Sequence, residues 1–365
     1  MTGLTLRALN RATLSRQWLL VRRRATALEA IHQLVGMQSQ APLAPYTGLW
    51  TRLADFQPDE LVGLMHDRSA VRLSLMRGTI HLVTADDALG IHPLLRDVHS
   101  RILASNQVVA SLRTSVDLEA LGSAGHRLLS ASPLNAAELG AALAEEFPPH
   151  PPAALSRAVR DLLAGVQIPP RGIWGKGGQP VTTTAEAWLG RPLEPYSIDS
   201  LVLRYLAAFG PASVLDMQAW SGLTRLGEVF DRLRPQLRSY VYEPTGRELF
   251  DLADQDLPDP DTPAPIRFLG EFDNLLISYA DRTRVLSEDH RRKVFTVNGI
   301  VKGTVLDDGF VVATWKATTT RKSARLVVEP LQHLPRTAHS EILDEARRLL
   351  SFLAPQVEHR TVELP

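Results

Sequence analysis

Hydrophobic positions in residues 197–254 change period partway along, and the change outlines a small domain. Over 197–209 the apolar residues Ile198, Leu201, Val202, Tyr205 and Leu206 recur at helical spacing on one face. Gly210-Pro211 breaks that helix, Ser213 opens a second through Trp220, and Ser221-Gly222 ends it. Thr224 is placed to cap a third helix over 225–233, limited by Pro235. The pattern then alternates in SYVYEPTGRELFDL around Pro244-Thr245-Gly246, which predicts a hairpin. Helix, helix–turn–helix and hairpin, in that order, is the plan of a winged helix.

Two earlier stretches repeat the plan without repeating the sequence. Residues 117–190 predict a helix from Asp117, a second capped by Asn135, a third over 153–165, and a Gly/Pro-rich wing, QIPPRGIWGKGGQPVTTT. Residues 6–83 predict helices near 11–22, 26–37, 43–54 and 58–66. A strand–turn–strand follows in which Val71, Leu73, Leu75, Ile80 and Leu82 alternate across Arg77-Gly78, and 86–105 reads as a connecting helix. From 266 the period becomes two, with hairpin turns at Asn298-Gly299 and Asp308-Gly309, and one closing helix spans 337–354.

The predicted fold is therefore α+β and mostly helical. Three tandem winged-helix units occupy 1–116, 117–196 and 197–265, and a β-barrel-like C-terminal subdomain with its closing helix occupies 266–365.

Composition narrows the chemistry. The chain has 365 residues and no cysteine, which excludes disulfides, a thiolate nucleophile, Cys-ligated zinc and iron–sulfur clusters. No apolar run approaches a membrane span and the N-terminus has no apolar signal core, so a cytoplasmic, nucleoid-associated protein is expected. Forty Lys+Arg balance forty Asp+Glu, yet the charge is unevenly spread. Residues 1–117 and 266–328 each carry a net +4, and the first 24 residues hold six arginines and no acid. Such stretches suit phosphate contact, although a neutral total does not demand it.

Several catalytic patterns are missing or incomplete. GKGG at 175–178 lacks the spacing and the Ser/Thr of a phosphate-binding loop, and neither HExxH nor GxSxG occurs. His92 and His99 are two lone histidines, so neither metal nor cofactor is expected. What remains is Gln38-Ser39-Gln40, at the end of an apolar-faced helix and just before Ala41-Pro42. Proline pushes its predecessor towards extended geometry, and in extended backbone Gln38 and Gln40 project from one face. Two carboxamides would then converge, each with an acceptor oxygen and two donor hydrogens. Spacing alone favours a pair of solvated or capping glutamines over a converging pair.

The segments LNRATLSRQWLL…AIHQLVGMQSQAPLAPYTGLWTRL, LMRGTIHLV, FLGEFDNLLISYADRTRVL and NGIVKGTVLDDGFVVATWK resemble, in this order, the winged-helix DNA glycosylase family of AlkZ and YcaQ. The likeness runs from about residue 6 to 355. It implies three winged helices around a DNA channel and a monofunctional glycosylase that removes N-alkylated purines from duplex DNA, bulky or crosslinking adducts among them. The family's catalytic motif falls on Gln38, Ser39 and Gln40, with the second glutamine similar to the AlkZ branch. Ser39 departs from the usual apolar middle residue; its side chain is expected to point away from the pair. The likeness further implies a monomer whose DNA contacts include the hairpin 239–252, flanked by Arg238 and Arg247, with Glu243 and Glu248 beside them. Arg77 and His81 in the first wing and Lys176 in the second are further candidates. The opposing readings are a winged-helix transcriptional regulator, which uses a recognition helix, and a non-catalytic adduct-binding protein.

Overall fold

A computed structural model describes residues 2–365. Strand β1 (Thr2–Leu4) precedes helix α1 (Leu6–Arg16), which begins where the Thr5 hydroxyl accepts the Ala8 N–H. The helix stops short of the predicted residue 22 because Trp18 adopts a left-handed φ of 56°. Helix α2 (Ala27–Gln33) opens with a Thr26/Glu29 capping box. It also ends early, since Val35 (φ 50°) and Gly36 (φ 89°) turn the chain into β2 (Met37–Gln38). Helices α3 (Ala44–Arg52) and α4 (Pro58–His66) follow. A 3-10 turn, Met76–Gly78, then joins strands β3 (Ala70–Ser74) and β4 (Ile80–Thr84). The predicted connecting helix is two, α5 (Ala85–Ile91) and α6 (Arg96–Ser105), divided by a 3-10 turn that contains Pro93.

The second unit has α7 (Leu118–Ala131), β5 (Leu134–Asn135), α8 (Ala136–Glu146), α9 (Pro152–Leu162), β6 (Gly165–Gln167), β7 (Val181–Thr184) and α10 (Ala185–Leu189). Asp117 and Asn135 are the caps that the sequence predicts. Its wing does not stand alone. β6 pairs antiparallel with β3, so the first two wings form one six-stranded sheet in the order β2-β4-β3-β6-β7-β5.

The third unit contains α11 (Ile198–Phe209), α12 (Val214–Ser221), α13 (Gly227–Leu233), β8 (Leu237–Tyr242) and β9 (Arg247–Leu252). Thr224 does not cap α13. Arg225 sits at φ 59° and the Gln218 carboxamide oxygen takes the Leu226 N–H at 3.1 Å, so the helix starts two residues later than predicted. β1 adds to this hairpin as a parallel strand against β8, a pairing between the two ends of the winged-helix region that the sequence does not signal. Tyr240 and Tyr242, alternating on one face of β8, are core residues at 4% exposure each and pack with Leu4 and Leu9.

The C-terminal region holds β10 (Arg267–Leu269), α14 (Asn274–Ile277), α15 (Glu288–Val294), β11 (Gly303–Asp307), β12 (Phe310–Thr319), β13 (Ser323–Pro330), α16 (Arg336–Leu353) and β14 (His359–Glu363). One stretch predicted as strand is helical, α14, and α15 runs two residues into another, ending at Val294. Asp273 caps α14, and Ser287 caps α15, whose acidic first turn and basic last turn suit the helix dipole. Asn298-Gly299 closes only a single bridge, Phe295–Val301, whereas Asp308-Gly309 makes the predicted hairpin between β11 and β12. The sheet β10-β11-β12-β13-β14 is open rather than barrel-like: α16 crosses its face and delivers β14 parallel to β13, leaving β10 and β14 as edges. Ile342, Ala346, Leu349 and Leu350 of α16 pack on Phe268, Val305, Leu326 and Val328. Among the described residues no helix is long and apolar enough to cross a membrane.

One core contact positions the site. Tyr205, Phe209 and Trp220 of the third unit stack at 5.1–5.7 Å and share a cluster with Leu75, Met76 and Val98 of the first. The C-terminal end of α12 is thereby set against the 3-10 turn that carries Arg77.

Candidate active site

The chain is extended over Met37–Gln38 but bends at Gln40 and Ala41, so the extension expected through the motif reaches only its first residue as a strand. Gln38 lies opposite His81 in the β2–β4 ladder, and the Ser39 N–H donates to the Ile80 carbonyl at 2.7 Å. Ser39 is fully buried. Its hydroxyl accepts from Arg72 Nε at 3.0 Å, and its carbonyl accepts from another guanidinium nitrogen of Arg72 at 2.9 Å. Burial holds the Arg72 guanidinium at about 10, below its usual value. An apolar middle residue would keep the carbonyl but take the hydroxyl acceptor away from that buried cation, which gives the unusual serine a physical reason.

Ser39 turns inward to Arg72, while the Gln38 carboxamide oxygen meets Arg77 and that of Gln40 meets Ile80 at the start of β4. Gln38 is 7% exposed and Gln40 is exposed. The Gln38 carboxamide oxygen accepts from Arg77 at 2.8 Å, and a second Arg77 nitrogen donates to the Trp220 carbonyl. A guanidinium only donates, so the Gln38 atom facing Arg77 must be oxygen and its NH2 group is the end left to act. The Gln40 carboxamide oxygen has one long contact, the Ile80 N–H at 3.4 Å.

The outer edge of β2 is covered from 236 residues away. Asn274 donates to the Gly36 carbonyl at 2.7 Å and its oxygen accepts the Gln38 N–H at 3.4 Å. One carboxamide thus meets the exposed backbone groups of an edge strand. The preceding Asp273 accepts two bonds from buried Arg52, both at 2.8 Å, and caps α14. The FDN run lies in one of the segments that carry the family resemblance; its link to Gln38 has no local signal, because it depends on a long-range contact.

The other expected contacts fall in different surroundings. Arg77 is expected at a phosphate, but its guanidinium hydrogen bonds go inward to Gln38 and Trp220, and burial followed by repulsion from Arg282 holds it at about 10. His81 is 2% exposed and hydrogen-bonded through Nδ1 to the Thr79 carbonyl at 2.9 Å. Burial and then Arg77 push it down to about 3, so it is a neutral packed residue beside Gln38 rather than a phosphate ligand. Lys176 is exposed in the loop between β6 and β7. Arg238 and Arg247 sit at opposite ends of the β8–β9 hairpin; Arg238 donates to the Ala253 carbonyl and Arg247 stands 3.8 Å from Asp281. Glu248 is engaged by Arg234 at 2.9 and 3.1 Å, which removes it as a competitor for Arg247. Among the described residues no group of three or more His, Asp or Glu is arranged around a metal position, and the His92 and His99 rings pack at a tilt with centroids 4.9 Å apart.

Residues 31–352, from α2 through nearly all of α16, match the family described as DNA glycosylase AlkZ-like. The chain belongs to this family. An AlkZ-like chain from Streptomyces sahachiroi, named interstrand DNA cross-link repair glycosylase, is 25% identical over 354 residues, 91% of this chain and 92% of the relative. The solved structure of the S. sahachiroi DNA glycosylase AlkZ superposes with a TM-score of 0.81 over the whole of both chains at 22% identity, a likeness of fold. The protein is an AlkZ-like DNA glycosylase, and its substrate is DNA.

Proposed function

We propose that this glycosylase hydrolyses the N-glycosidic bond of purines alkylated at N7 of guanine or N3 of adenine in duplex DNA, bulky and crosslinking adducts included. The observation that carries the reading is the Gln38-Ser39-Gln40 segment, anchored through Ser39 to Arg72, with the Gln38 carboxamide oxygen held by Arg77 and that of Gln40 by the Ile80 N–H. An alkylated purine is cationic. The bond from C1′ to the base breaks with its electron pair leaving on the base, which becomes neutral without being protonated. Water oxygen bonds to C1′, and its proton passes to solvent. Two neutral amides suffice for such a leaving group, and an unmodified base would need an acid as well.

Roles follow from how firmly each carboxamide oxygen is held, that of Gln38 by Arg77 at 2.8 Å and that of Gln40 only by the Ile80 N–H at 3.4 Å. The Gln40 carboxamide oxygen accepts a hydrogen of the attacking water and its dipole favours the developing sugar cation. Gln38, its own oxygen held by Arg77, presents NH2 to the oxygen of that water. Lys176, Arg238 and Arg247 are proposed as phosphate contacts, and the enzyme is proposed to act as a monomer without metal or cofactor.

The test is alkaline strand cleavage of a duplex containing 7-methylguanine. Wild-type protein should generate alkali-sensitive sites in EDTA, and Gln38→Ala and Gln40→Ala should each slow this by roughly 100-fold or more. Full-rate excision by Gln40→Ala overturns the assignment. Retarded migration without cleavage by the wild type would instead favour a non-catalytic binder.

A further inference from the structure

A cleft of about 600 Å³ opens directly beyond Gln40. Its floor and walls come from the turn after the motif (Pro42, Leu43), the second wing (Trp174) and β12 (Trp315, Ala317). It shares Ala44, Gly270 and Glu271 with the small recess lined by Gln38, so the two border one wall. The volume is that of a small-molecule site.

The walls are rigid. The Trp315 indole N–H donates to the Leu269 carbonyl at 2.8 Å, and the ring lies so close to Gly303 that an added Cβ there would fall 2.7 Å from its nitrogen. The Trp174 ring packs on Tyr46 at 4.8 Å and Phe352 at 5.3 Å, while its backbone N–H donates to the Tyr46 hydroxyl at 3.0 Å. Leu43 nevertheless stays 42% exposed at the mouth. The only ionisable side chains in the lining are Glu271 and Lys316; burial raises the Glu271 carboxyl, and Lys316 opposes that shift. A lining that is mainly aromatic and aliphatic, with one charge of each sign, does not suit a phosphate backbone. It suits a flat apolar group.

We infer that this cleft receives the part of a bulky adduct that lies beyond the alkylated purine, an aromatic group tethered to the base nitrogen. The inference rests on the glycosylase reading above, and it deepens that reading by naming the chemistry of the tether. A group reaching past the base towards Gln40 would slide over Pro42 and stack between Leu43 and the two tryptophans. Preorganised rings lose little entropy on binding it.

The experiment compares two duplexes under steady-state and single-turnover conditions, one with 7-methylguanine and one with guanine carrying a naphthylmethyl group at N7. Wild-type enzyme should show a KM at least tenfold lower for the naphthylmethyl duplex. Ala317→Phe, which fills the cleft from β12, should abolish that advantage while leaving 7-methylguanine excision unchanged. Thr319→Phe, an exposed residue that also lines the cleft, provides a second filling variant should the first not fold. Equal KM values for the two adducts in wild type, or an advantage that survives both substitutions, overturns the cleft assignment and leaves the glycosylase reading intact. Excision of neither adduct by wild type sinks both.

Discussion

Arg77 has the most constrained position of any residue at the site. It sits at φ 56°, in a region that side chains seldom adopt, and its guanidinium links the Gln38 carboxamide oxygen to the Trp220 carbonyl of the third unit. It acts through Gln38, by fixing which end of that amide faces outward. Arg77→Ala should therefore lower the excision rate roughly 10- to 100-fold. It should leave the salt dependence of DNA binding unchanged, whereas loss of a phosphate contact would reduce the slope by about 0.9. Arg77→Lys should not rescue the rate, since a compact ammonium lacks the planar fork that spans both carbonyls. A reduced slope with a normal rate would return Arg77 to the phosphate role. From the sequence, LMRGTIHLV shows a turn with a cation in it; which way that cation faces depends on Trp220, 143 residues away.

At the scale of elements, short strands do more than their length suggests. β2 has two residues, yet it sets the register of Gln38 against His81 and is covered by Asn274 from the far end of the chain. β1 has three residues and extends the third hairpin. Leu4 is 4% exposed against Tyr240 and Tyr242. Leu4→Ala should reduce the free energy of unfolding in urea by about 2–4 kcal/mol; a change below 0.5 kcal/mol would mean that β1 is dispensable. Helices with capping residues, such as those opened by Asp117, Asn135, Ser197 and Ser213, were legible because their signals are local. The strands β1 and β14 were not, because three and five residues carry too little alternation to separate them from coil.

Across the whole molecule, the balance of 40 basic and 40 acidic residues takes on a different meaning once burial is known. Arg11, Arg52, Arg72 and Arg284 are each at most 2% exposed and bond to protein acceptors, so the arginine count overstates the cations available to DNA. Buried titratable groups also set how stability responds to acid. His81 and His92 are both pushed down to about 3, chiefly by burial, and His99 is lowered by the same cause. The fold favours their neutral forms. That contribution is complete above about 6.5 and is lost as pH falls towards 3, at roughly 1.4 kcal/mol per pH unit for each fully buried histidine. Asp251 runs the other way, raised to about 6 by burial against the pull of Arg16, so its share grows as pH falls from 6 to about 4. The histidines outnumber it. The urea midpoint should therefore drop between pH 6.5 and 4.5, and His92→Asn should make the drop smaller. A midpoint that rises over this interval would contradict the balance.

The sequence by itself determined most of the helices, with the caps at Asn135 and Ser213, the three winged-helix plans and the Asp308-Gly309 hairpin. Each depends on periodicity, turn chemistry or a proline within a few residues, which are interactions that neighbours in the chain can specify. Tertiary structure alone decided that two wings share one sheet, that Ser39 serves Arg72, that Arg77 turns inward to Gln38, and that Asn274 backs the motif. Those pairings join residues 33 to 238 positions apart. They arise because buried donors and acceptors must find partners wherever folding brings them together, and no local pattern records which partner that will be.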